Sequence, residues 1–320
     1  MPLPTKSILG ILLDNVKIRK GVIPLSKRKI SAWTRGLNIP RGGETVLYTG
    51  QLYQLIPSIN AMAYWMAKFE NTPITSLFGL GRMVNKIINL SWFMGFAKPS
   101  ERKAYNNILH SIARLLLMAK VEFGYLYEND LYSGVLLYDE GVDDIFAEHV
   151  RYVYRRFKEN SVRTVITVDP HTTHVLRSIY PQIIEDFDIK VVNYLEVLTE
   201  KGIALPQDLD LDLVIHDSCI YARFENVIDE PRILLKQVGA RIHEMELSGK
   251  LTHCCGGPLE SLFPGKAHEI AAKRIEQLAG CSHNAVTMCP ICMAVLKRMA
   301  RTELNIKDIA EYLIEAVPPN

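Results

Sequence analysis

The stretch TVITVDPHTTHVLRSIYP, residues 164–181, has a counterpart in AVTMCPICMAVLKRMA, residues 285–300. Asp169-Pro170-His171-Thr172 falls opposite Cys289-Pro290-Ile291-Cys292. Each copy reads as a short β-branched run, a tight turn and a helical pattern ending in basic residues, so each predicts strand, turn and helix. Working outward, DIKVVNYLEVLTE (188–200) matches NIKDIAEYLIEAV (305–317). VLYTGQLYQL (46–55) matches VIHDSCIYAR (214–223), which sets Gln51 opposite Cys219. LYSGVLLYDEG (131–141) matches HCCGGPLESLF (253–263), which sets Tyr132 and Ser133 opposite Cys254 and Cys255.

The chain therefore holds two copies of one unit. VDDIFAEHVRYVYRRFKE (142–159) carries apolar residues at Phe146, Val150, Val153, Tyr154 and Phe157, the spacing of an amphipathic helix, and its partner is KAHEIAAKRIEQLAG (266–280). Short strands alternating with such helices predict an α/β fold: two pseudo-symmetric repeats, each a short parallel sheet flanked by helices. The expected divisions are an irregular N-terminal extension over 1–43, a first repeat over 44–205 and a second over 206–320. The first repeat has a longer internal gap, filled by a mostly helical insertion at about 57–125. Pro24 and Pro40 argue for irregular chain in the extension.

The composition narrows the function classes. The chain has 320 residues, 48% hydrophobic and 22% charged, with a net charge of +2, which makes no case for nucleic acid or an anionic membrane surface. No leader pattern opens the chain, and runs such as IINLSWFMGF (87–96) are too short to span a bilayer. The expectation is a cytoplasmic protein with no transmembrane segment of its own, at most peripheral to a membrane complex.

All six cysteines lie in the last third of the chain: Cys219, Cys254, Cys255, Cys281, Cys289 and Cys292. A disulfide scaffold would spread them through a short secreted chain, whereas clustered thiols in a reducing compartment bind metal or do redox work. Five of them are spaced Cys-x34-Cys-Cys-x33-Cys-x2-Cys, each group at a turn following a strand, and such turns gather at one end of a parallel sheet. Five thiols exceed the four of tetrahedral zinc and suit an iron–sulfur cluster, with zinc on four of them as the alternative occupant. Gly256 and Gly257 allow close backbone approach to a sulfide, and Pro290 stiffens the last loop, where Cys292 starts a helix. Arg223, Lys297 and Arg298 are candidate charge partners or plain surface cations, and Cys281, outside the pattern, reads as a small buried residue.

The constellation HDSC, HCCGG and CPIC resembles the CCG-domain proteins: the CCG-bearing subunit of heterodisulfide reductases and the iron–sulfur subunits of glycolate oxidase and anaerobic glycerol-3-phosphate dehydrogenase. The resemblance covers roughly residues 44–316 and implies that Cys219, Cys254, Cys255, Cys289 and Cys292 bind a [4Fe-4S] cluster. In the heterodisulfide reductases such a set holds a non-cubane cluster that cleaves a disulfide. Partners implied are a ferredoxin-like iron–sulfur subunit and a flavoprotein subunit. Two departures stand out: Ser218 replaces a frequent proline, and the first repeat has lost every thiol.

Asp169, His171 and His174 are candidate hard ligands in the first repeat, with a helix cap and packed histidines as the plainer reading. His216 and His253 flank the thiols, and either is a candidate to donate a hydrogen bond to a cluster sulfur or a proton to a departing thiolate, with a structural role as the plainer reading. The leading expectation is an oxidoreductase subunit of the heterodisulfide-reductase type, passing electrons to or from a disulfide or other sulfur substrate. The alternatives are an electron relay for a flavin-dependent dehydrogenase and a non-catalytic zinc-binding assembly subunit.

Overall fold

The computed structural model describes residues 5–69, 72, 78–86, 89, 96–206, 208–261, 263–300 and 304–318. Most of IINLSWFMGF lies outside the described residues. Two four-stranded sheets are present, ordered β2-β1-β3-β4 and β6-β5-β7-β8, and every strand pair is parallel. The strands of the first half are β1 (Thr45–Tyr48), β2 (Gly124–Tyr125), β3 (Thr164–Thr167) and β4 (Lys190–Asn193). Those of the second are β5 (Leu211–Ile215), β6 (Ala240–Ile242), β7 (Asn284–Thr287) and β8 (Asn305–Asp308). The α/β class and the parallel sheets stand as read from the repeats.

Register repeats as well as order. Val46 pairs with Val165 in the first sheet, and Val214 pairs with Ala285 in the second, the same two sequence-equivalent positions. One correction concerns the last strand of each half. Thr164 faces Lys190 and Asn284 faces Asn305, so Lys190 is equivalent to Asn305, two residues away from the match that set Asp188 there. A slip of two keeps every strand side chain on its own face, so the hydrophobic pattern does not detect it. The caps do: Asn193 with Glu196, and Asp308 with Glu311, form reciprocal capping boxes at the helices Tyr194–Lys201 and Ile309–Glu315.

The N-terminal extension is not irregular. A helix runs from Thr5 to Arg19, and both prolines lie beyond it. Its apolar residues do not keep to one face, which hides it from periodicity. Tertiary contacts stabilise it instead. Asp14 takes a two-pronged ion pair from Arg82 on the helix Phe78–Asn85, and Val16 joins the core of the first half. The insertion is helical as expected, with Leu52–Phe69, Phe78–Asn85 and Pro99–Met118.

The main hydrophobic core runs from one half into the other, from Leu47, Tyr53 and Ile112 to Leu213, Val286 and Leu313. Tyr53 donates to Asp308 across this seam at 2.6 Å. Arg177 and His174 of the first half converge on Glu225 of the second. These contacts bring the two sets of strand-end turns together. No helix among the described residues is long and apolar enough to cross a membrane.

Candidate metal centre

β5 and β7 are neighbours, so the turns that leave their carboxyl ends meet. Cys219 follows β5, and Cys289 and Cys292 follow β7. Cys289 is the N-cap of the helix Pro290–Met299, which places Cys292 in its first turn, near the positive end of the helix dipole. Cys254 and Cys255 arrive on the loop ahead of Gly256, whose φ is +82°. A Cβ on Gly256 would come within 2.5 Å of the Ala267 carbonyl oxygen, so only glycine turns the chain there.

The five thiols touch in an unbroken series: Cys219 with Cys254, Cys254 with Cys255, Cys255 with Cys292 and Cys292 with Cys289. Cys255, Cys289 and Cys292 are buried, and Cys219 and Cys254 are half-buried. The Cys254 sulfur accepts from the Gly256 amide at 3.2 Å, and the Cys255 sulfur from the Gly257 amide at 3.3 Å. The glycine amides thus serve the cysteine sulfurs directly. Hydrogen bonds from Cys219 and then Cys255 pull Cys254 well below the ordinary thiol range. Burial acts to raise Cys289, but bonds from Cys292 and His171 and the charge of His171 outweigh it and hold that thiol low. Both shifts favour the thiolate form that metal ligation uses.

Cys281 stands apart and is exposed, contrary to the expectation of a small buried residue. It lies in the turn between the helix Pro264–Ala279 and β7, where the chain runs over the surface.

The surroundings of the thiols fit an anionic sulfur-ligated group. His216 is buried, and a nitrogen of its ring lies within 4.8 Å of the sulfurs of Cys255 and Cys292. Its Nδ1 accepts from Arg274 at 2.9 Å, which leaves the proton on Nε2, and Nε2 has no partner among the described residues. Burial, then the charge of Arg274, push His216 down to about 3, so the ring stays neutral. Arg274 itself is fully buried. Its acceptors among the described residues are all neutral: His216, the Leu247 carbonyl, Gln277 and Thr252. Arg274 bonds no carboxylate among the described residues; the charges that reach it are Asp217 first, itself ion-paired with Arg232, and then the sulfurs, those of Cys292 and Cys255 among them. An orphaned donor and a buried cation with no bonded carboxylate, beside an all-sulfur donor set, suit thiolates carrying iron and sulfide.

Sequence reasoning missed Arg274. It occupies the buried stripe Ala267, Ala271, Arg274, Leu278 of its helix, and an arginine at such a position was the available signal. The cations it did select are engaged elsewhere or face solvent. Arg223 braces the Lys250 and Thr252 carbonyls, Arg298 bonds Glu260 and Asn60, and Lys297 is exposed. His253 bonds the Cys254 carbonyl at 3.0 Å, bracing the cysteine loop.

In the first half the same turns are filled by neutral groups and committed histidines. Ser133 and Thr172 meet at 3.3 Å where Cys255 meets Cys292. Asp169 caps the helix Pro170–His174, accepting from the Thr172 amide at 2.8 Å, as the plainer reading held. His171 and His174 are buried and separately committed, the first to Asp139 and Cys289, the second to Glu225. Asp169, His171 and His174 do not assemble into a ligand set among the described residues.

Comparison with known proteins gives a consistent picture. Residues 213–297 match the CCG family, a cysteine-rich domain, and the match encloses all five clustered thiols. The chain is 30% identical over 65% of its length to a probable iron-sulfur-binding oxidoreductase, FadF, of Bacillus subtilis, covering 31% of that protein. It is 28% identical over 67% of its length to an EtfAB:quinone oxidoreductase of Syntrophomonas wolfei, covering 32% of it. A probable membrane-anchored ferredoxin of Chromohalobacter salexigens is 27% identical over 65% of the chain and 33% of that protein. The chain spans about a third of the length of each of these relatives.

Proposed function

We propose that this chain, whose second half carries a CCG cysteine-rich domain, is the electron-transferring part of an iron–sulfur oxidoreductase. Cys219, Cys254, Cys255, Cys289 and Cys292 hold its cluster, which we take to be of the [4Fe-4S] type. The observation that carries the reading is the continuous contact of five thiols around a buried arginine and an orphaned histidine N–H.

When bound, the cluster supplies one-electron transfer. The protein's own residues do the rest. The five sulfurs ligate, with Cys254 and Cys289 already biased towards thiolate. Nε2–H of His216 would be available to donate to a cluster sulfur, and such a bond would favour the more reduced, more negative state. Arg274 balances that charge from within the core, and His171 is a second cation, bonded to Cys289 and held charged by Asp139 despite its burial.

The relatives favour a relay that takes electrons from a flavoprotein-type donor and passes them to an acceptor, and the name of the Syntrophomonas relative points to the quinone class. A second reading, reduction or formation of a disulfide at the metal, is favoured by one feature: five cysteines where a cubane needs about four, leaving one sulfur free to bridge or yield. In both readings the chain works within a larger assembly in a reducing compartment.

The test is anaerobic purification with iron and acid-labile sulfide analysis and electron paramagnetic resonance of the reduced and oxidised protein. About four irons per chain are expected. Colourless protein with a single zinc would end the redox reading. Turnover of a disulfide by the reconstituted assembly would select the second reading over the relay.

A further inference from the structure

A cavity of about 440 Å³ lies between the two halves, beside the thiols. Its walls come from four helices. Leu12 stands on Thr5–Arg19, Leu55 on Leu52–Phe69, Val135 on the short helix Val135–Asp139, and Ile291 and Val295 on the helix that follows Cys289. Gly257 closes the side towards the thiols. A Cβ built there would lie 3.3 Å from the Cys255 sulfur and 2.4 Å from the Ile291 side chain, so Gly257 and Ile291 are packed tightly between the cavity and that sulfur.

The charges on the wall are spoken for. Asp139 pairs with His171. Glu260 takes both Arg298 and His268, and Asn60 bonds Arg298. Among the described residues, no charged group on the wall is left to meet a carboxylate, sulfonate or phosphate, and an anion moved from water to leucine and isoleucine side chains loses its hydration without a counter-charge in return. The size falls within the usual range of about 300–1,000 Å³ for small-molecule sites, enough for a ring with a hydrocarbon tail.

We infer that this cavity binds an uncharged, largely hydrocarbon molecule bearing one or two carbonyl or hydroxyl oxygens, the chemistry of a quinone with its tail. The inference rests on the relay reading above and names its acceptor site. The ring lies at the Gly257 and Ile291 end, next to Cys255, and the tail runs between Leu12, Leu55 and Val135 towards Tyr64, which is exposed.

The experiment is anaerobic equilibrium binding of decylubiquinone to the iron-loaded full chain, with oxidised glutathione as the charged control. One equivalent is expected to bind with a Kd of about 1–10 μM, and oxidised glutathione is expected not to displace it. Ala63→Trp and Ala294→Phe narrow the cavity from two different helices, and each is expected to weaken binding at least about tenfold while iron content and visible spectrum stay unchanged. If Ala294→Phe also loses iron, Ala63→Trp, remote from the cysteines in the chain, decides. Iron-loaded protein that fails to bind decylubiquinone, or binds it equally well in Ala63→Trp, overturns the inference and leaves the cluster standing. Iron-free protein from anaerobic cells sinks the relay reading itself, which keeps the two failures apart.

Discussion

The two halves of this molecule share a sheet order, a strand register and a left-handed glycine at the same turn, yet one holds five clustered thiols and the other none. Gly134 and Gly256 have φ of +89° and +82°. Ser133 meets Thr172 where Cys255 meets Cys292, and Asp169 caps a helix where Cys289 caps the equivalent one. The backbone architecture is therefore independent of the sulfurs. The difference lies in what neutralises each turn. The first half uses the Ser133–Thr172 hydroxyl contact, the Asp169 cap and the His171–Asp139 pair, while the second gathers thiols beside a buried arginine.

Four substitutions test that contrast, from the largest effect down. Cys255→Ser is expected to abolish retention of the cluster, seen as loss of bound iron and of visible absorbance, while far-ultraviolet circular dichroism stays as it was. The first half already folds with Ser133 at this place. An unfolded Cys255→Ser protein would mean that the second half depends on its thiols for structure and that the halves are not equivalent.

Arg274→Met comes next. It removes a fully buried cation from beside the sulfurs. Denaturant unfolding is expected to show a loss about 3 kcal/mol greater in the iron-loaded protein than in the metal-free one, because breaking a buried charge pairing leaves its partner uncompensated. An equal loss in the two forms would make Arg274 a packing and hydrogen-bonding residue only.

The third concerns an exchange between the halves. Asp130 bonds the Thr49 hydroxyl in the first, whereas in the second Asp217 stands in place of Thr49, Thr252 in place of Asp130, and Asp217 is ion-paired with Arg232. Burial raises Asp130 from 3.8 to about 7, and bonds from Thr49 and Tyr125 only partly oppose it. A raised folded pKa means stabilisation that is complete below the unfolded value and lost as pH rises through about 7. Between pH ~4 and ~8 the parent is expected to lose roughly 2–4 kcal/mol relative to Asp130→Asn, measured by urea unfolding at each pH. Parallel pH profiles for the two proteins would contradict this.

The smallest effect is expected of Ser133→Cys, which places one sulfur at the thiol-free turn. Stability should change by less than about 1 kcal/mol, with no additional metal bound, by calorimetry and elemental analysis. A bound second metal would show that the first half keeps a ligand set despite the separate commitments of Asp169, His171 and His174.

Much of this is legible from the chain. The pairing of 164–181 with 285–300 sets the fold class, and the cysteine spacing marks the residues that meet. Three readings fail for identifiable reasons. The match of the final strands slips by two because strand side chains repeat every two residues, and only the capping boxes locate the helix starts. The helix Thr5–Arg19 escapes because Asp14 and Val16 meet partners far along the chain rather than forming a local stripe. Cys281 departs from the usual burial of small thiols because it follows the end of a helix and faces solvent.

The order of residues alone determined that there are two units, that each alternates parallel strands with helices, and that one of them carries every thiol. Local periodicity and repetition encode those properties, and both can be read along one dimension. Only the tertiary structure decided that Arg274 and His216 back the sulfurs, that His171 of the thiol-free half reaches Cys289, and that a largely apolar cavity opens against Gly257 and Ile291. Those are meetings between residues far apart along the chain, and burial in a shared core, rather than any pattern in the sequence, brings them together.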